Sequence, residues 1–68
     1  MGVKKGYVGI VVENLVDELG ILLVDFTNPY KNEDICLQAE IKSEDCRWLG
    51  TSRKDREIAS QFRALFKN

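Results

Sequence analysis

The side chains able to do chemistry are few, and they are the wrong set for catalysis. The 68-residue sequence holds no histidine, so it has no imidazole base near neutral pH and no Ser-His or Cys-His pair to activate a nucleophile. Carboxylates such as Glu40 and Glu44 can in principle pair for acid and base work, but acidic residues at this frequency are ordinarily a solvated surface. Two cysteines, Cys36 and Cys46, cannot supply the four soft ligands of a structural zinc site. They read first as small buried hydrophobes in a reducing compartment, with a disulfide as the lesser alternative. Gly6 and Gly9 are not followed by the lysine and helix start that a phosphate cradle requires. The expectation is a non-enzymatic chain without metal, cofactor or small-molecule substrate.

What remains is chemistry of contact. Residues 1–51 carry five Lys or Arg against nine Asp or Glu, and residues 52–68 carry five against two, so a net −4 meets a net +3. Arg53, Arg56, Arg63 and Lys67 recur at spacings that stack them, with Ser60, in one stripe of a helix. Arginine binds phosphate bidentately, and four such contacts would give a salt-dependent grip on nucleic acid. The favoured reading of the stripe is the wet face of an amphipathic helix, since a pI near 5.3 is low for a dedicated nucleic-acid binder. Protein binding is favoured: the acidic stretches Glu13 to Glu18 and Glu33-Asp34 can steer a basic partner, or pair head to tail with the basic helix of another copy. Tyr30, beside Pro29 in a polar loop, is either an exposed aromatic anchor or a ring packed under its own turn.

The elements that must position these residues are legible in outline. Gly6 to Asn14, with Tyr7, Val8, Ile10, Val11 and Val12, favours a strand, and Gly9 within it signals a bulge or close backbone approach. Ile21 to Thr27 is a second strand ended by Asn28-Pro29. Their connection has two readings. A hairpin is favoured, yet Val12, Leu15, Val16 and Leu19 also fit a short helix with Gly20 at its C′ position. Ile35 to Ile41 alternates, placing Ile35, Leu37, Ala39 and Ile41 on one face. Ser43 to Cys46 reads as a capped turn that delivers Trp48 and Leu49 to the core. Ser52 and Asp55 mark the start of a helix from Arg53 to Lys67, with Ile58, Phe62, Leu65 and Phe66 as its apolar face.

The composition, 44% hydrophobic and 31% charged, is that of a folded single domain over residues 1–68, with no run long enough to span a membrane. The apolar stretch after Lys4 and Lys5 runs into Glu13, Asp17 and Glu18 without a cleavage site, so a cytoplasmic location is expected. A domain this small buries only about 60% of its unfolded surface, which makes a homodimer a serious expectation.

Lys5-Gly6-Tyr7-Val8-Gly9-Ile10-Val11-Val12, followed by a strand at Ile21 to Phe26, resembles the opening of small SH3-like β-barrels of the KOW type, over roughly Gly6 to Leu49. The resemblance implies a mainly β (α+β) fold, a small antiparallel barrel or curled sheet closed here by the C-terminal amphipathic helix. It also implies a binding module that docks proteins or nucleic acid through loops and strand edges. The expected role is a regulatory or accessory factor, of a kind that mobile elements also carry.

Overall fold

The computed structural model describes residues 2–67. Its order of elements is β1 (Ile10–Leu15), α1 (Val16–Leu19), β2 (Ile21–Thr27), β3 (Asp34–Lys42), a 3-10 turn over Ser43–Asp45, and α2 (Arg53–Ala64). The strands form one antiparallel sheet in the order β1-β2-β3. It is a small α+β domain.

The connection from β1 to β2 combines the two readings of the sequence. Asn14 and Leu15 pair with Leu22 and Ile21, with Leu15 turning toward the helix at φ −113° and ψ 27°, so the helix does not start at Val12, and the hairpin wins. A single helical turn nevertheless follows. Asn14 Oδ1 accepts the Val16 N–H at 3.0 Å, and Gly20, at φ 70°, ends the turn with its N–H on the Val16 carbonyl. Nothing lies within 4 Å of a Cβ built on Gly20, so Gly20→Ala is expected to cost only the left-handed backbone penalty, about 1 kcal/mol, read as a small fall in urea midpoint.

β3 departs from its predicted alternation. Val24 faces Ala39 and Phe26 faces Cys36, so Leu37 and Gln38 together oppose Asp25. Gln38 takes a φ of 52°, and its N–H donates to Asp25 Oδ1 at 2.8 Å. This bulge turns Leu37 out to solvent, while a second irregularity opposite Phe26 and Thr27 returns Ile35 to the core. A bulge also breaks β1 at Val12. Both edge strands are thereby kinked, which discourages open-ended strand addition.

β1 and β3 are not neighbours, so the sheet is open rather than closed into a barrel. Three strands are too few to curl round and meet, and the chain after β3 leaves as a turn and extended coil instead of a further strand. The core lies on one face of the sheet: Leu22, Val24 and Phe26 are buried, with Val3, Tyr7, Val11, Ile35, Ala39 and Ile41 against them. Residues before β1 cross this face at Gly9 and bring Tyr7 over Phe26. Tyr7 in turn meets Phe62 and Phe66 edge-on at 5.5 and 5.8 Å, which is how α2 is held. The last turn tightens into i to i−3 hydrogen bonds over residues 65–67. Leu65, expected on the apolar face, is therefore 64% exposed, whereas Phe66 folds back to Tyr7.

Candidate binding site

Two surfaces gather the residues of interest. The first is built by the start of α2. Ser52 caps the helix, its Oγ accepting the Asp55 N–H at 3.1 Å. Asp55 does not complete the expected capping box by reaching back to Ser52. Its Oδ1 instead accepts from the Arg47 guanidinium at 2.7 Å, and its Oδ2 from the Gly50 N–H at 2.9 Å. One buried carboxylate thus ties the 47–50 segment to the helix. Alternate side chains of an extended segment point opposite ways. With Arg47 drawn toward the helix, Trp48 turns outward. It is 68% exposed, and Leu49 is partly exposed beside it. The expectation that both anchor the core is wrong: Asp55 fixes the loop, and both side chains are left exposed.

The Arg47 guanidinium and then the Gly50 N–H hold the Asp55 carboxyl below its ordinary value of 3.8; burial opposes them, and the Ser52 hydroxyl adds a lesser lowering effect. A carboxyl whose folded pKa is depressed contributes stability above its unfolded pKa and loses it as pH falls through the folded value. The urea midpoint is therefore expected to drop between about pH 5 and about pH 2, and Asp55→Asn to be less stable near neutrality with a flatter acid limb. Equal acid limbs in the two proteins would exclude Asp55 as the clasp.

Trp48 and Leu49, with Val16, Leu22, Ile41 and Ile58, line a wide and open cleft of about 1910 Å³. The cleft exists because α2 touches the sheet through the Tyr7, Phe26, Phe62 and Phe66 rings at one end, leaving the other end unfilled. It is larger than the roughly 300–1,000 Å³ of a small-molecule pocket. Its rim carries both signs, with Lys4, Lys5 and Lys42 near Asp17, Glu40 and Asp45.

The second surface is a shallow dish of about 210 Å³ formed by Tyr30, Ser60, Arg63, Ala64 and Lys67. Asn28 Oδ1 accepts the Tyr30 N–H at 2.9 Å, and this turn presents the ring to solvent, 54% exposed. The structure thus brings Tyr30, Arg63 and Lys67 together. Arg53 lies about 15 Å away along the helix axis, close to Glu57 at 3.8 Å, and Arg56 is exposed near the same end.

Sequence reasoning named Tyr30, Ser60, Arg63 and Lys67 of the dish without placing Tyr30 beside the helix, and it missed Trp48 and Leu49 as surface groups. The available signal was the aperiodic stretch 46–52, lying between a turn and a helix cap, where loops run over the surface. Cys36 and Cys46 are free thiols. Among the described residues no three His, Cys, Asp or Glu side chains gather as a metal site, and no helix is long and apolar enough to cross a membrane.

These features define a small α+β domain with one apolar cleft and one cationic, aromatic dish. No protein-family model, curated protein or solved structure matches the chain.

Proposed function

We propose that this chain is a small, non-catalytic binding module that docks a protein partner through the cleft beside Trp48, as a cytoplasmic regulatory or accessory factor. The observation that carries the reading is the exposure of Trp48, 68%, on a segment that Asp55 ties down on both sides through Arg47 and Gly50: an exposed tryptophan beside an apolar cleft is the residue type that dominates interface energetics. Kinship with KOW-type SH3-like modules belongs to the same proposal. The Gly6-x-x-Gly9 crossing and the three-stranded antiparallel run that follows it support that kinship, while the open sheet departs from a closed barrel.

A second reading is favoured by the dish, where an aromatic ring sits with two cations, the combination that stacks bases and neutralises phosphates. The two separate by salt and by variant. Anisotropy of labelled DNA and RNA at low and moderate salt, with the Arg53→Glu, Arg56→Glu, Arg63→Glu variant, tests the dish and stripe. Retention of polypeptides on the immobilised chain, with Trp48→Ala, tests the cleft. Salt-tolerant retention lost in Trp48→Ala is expected. Salt-sensitive nucleic-acid binding lost only in the arginine variant would overturn the protein reading.

A further inference from the structure

The chain has too much surface for its mass. It exposes 5548 Å², where a folded monomer of its size is expected to expose about 4,400 Å². Its radius of gyration is 12.3 Å against about 11 Å for a compact domain of this length. The excess, roughly 1,100 Å², exceeds the roughly 800 Å² that each partner contributes to a standard interface. Among the described residues only Leu22, Val24, Phe26 and Phe62 are buried apolar side chains, and none of these is fully enclosed.

Resting on the cleft-docking reading, the geometry points to a second copy of this chain as the occupant: a twofold dimer in which each protomer's Trp48-Leu49 loop enters the other's cleft. Three observations favour a second copy over an unrelated protein. A twofold contact needs a surface that complements itself, and here Trp48 and the apolar cleft it lines lie side by side on each protomer, so two copies can make the same contact in both directions. The rim carries both signs, and among the described residues no ion pair engages Lys4, Lys5, Lys42, Asp17, Glu40 or Asp45. Such a rim can pair with its own copy, whereas the single-sign Arg63 and Lys67 surface would repel its own copy. The excess surface is also what one protomer of a dimer loses on assembly.

Trp48 is the single tryptophan, so its emission reports the contact directly. Sedimentation and tryptophan emission are followed together over about a hundredfold range of concentration. The expected result is conversion from 7.8 kDa to twice that mass, with emission shifting to the blue over the same range. Trp48→Ala should weaken assembly by roughly thirtyfold or more, Trp48→Phe should restore much of it, and Leu65→Ala, on exposed surface elsewhere, should leave it unchanged. If Trp48→Ala fails to fold, the wild-type chain alone decides, through a thermal midpoint that rises with concentration. A monomer throughout, or a dimer whose Trp48 emission stays that of a wet indole, overturns the proposal. If self-assembly fails while Trp48-dependent retention of another polypeptide persists, the second copy falls and the docking reading stands. Loss of both removes the two together.

Discussion

Gly9→Ala is expected to remove most of the chain's stability. A Cβ at this position would lie 2.5 Å from Val24 Cγ1, 2.8 Å from the Asp25 carbonyl oxygen and 2.8 Å from Phe26 Cδ1. None of these can move aside cheaply, since Val24 and Phe26 are core residues and Asp25 belongs to the central strand. Overpacking of this kind costs about 1–3 kcal/mol and sometimes more, and with backbone among the clashing atoms the upper end applies. A single core of this size supplies about 3–5 kcal/mol in all. Urea unfolding followed by far-UV circular dichroism measures the loss. A cost near that of Gly20→Ala, about 1 kcal/mol, would mean that the N-terminal segment does not cross β2 closely in solution.

Phe62→Ala is expected to cost about 3–5 kcal/mol, the usual range for removing a buried aromatic ring. Phe62 is the buried apolar residue of α2, and its ring stands 5.5 Å from Tyr7 and 5.3 Å from Phe66. Without it α2 loses its hold on the sheet, and an isolated helix of 12 residues is marginal in water. The helical signal should fall along with the unfolding midpoint. Leu65→Ala, three residues on but solvent-facing, should change stability by no more than about 0.5 kcal/mol. Similar losses at the two positions would place the helix on the sheet differently.

Both effects are large because the aromatic cluster sits at one end of the molecule. The ring contacts that fasten α2 are the reason that the other end stays open, and the open end is where the proposed partner enters. The proposed docking would therefore be linked to stability, since filling the cleft would add apolar cover beyond the four buried side chains.

The sequence by itself determined the parts that depend on local periodicity and backbone chemistry. A β-branched run set β1, the alternation of Leu22, Val24 and Phe26 with Leu23 and Asp25 set β2, Gly20 set the reversal between them, Ser52 set the start of α2, and the spacing of Arg53, Arg56, Arg63 and Lys67 set the basic stripe. Gly9 was legible as a close approach, because a glycine inside an apolar strand pattern signals one. Tertiary structure decided what depends on distant partners. Leu37 left the core because Asp25, twelve residues earlier, accepts the Gln38 N–H and stabilises a bulge. Trp48 left it because Asp55 draws Arg47 and Gly50 to the helix and fixes the loop with the indole outward. The barrel did not close because the chain beyond β3 is held as coil. Tyr30 joined Arg63 and Lys67 across a sequence gap that no helical or strand period spans. Hydrophobic pattern tells which side chains prefer burial, but whether a wall exists to bury them against is settled only when the elements pack.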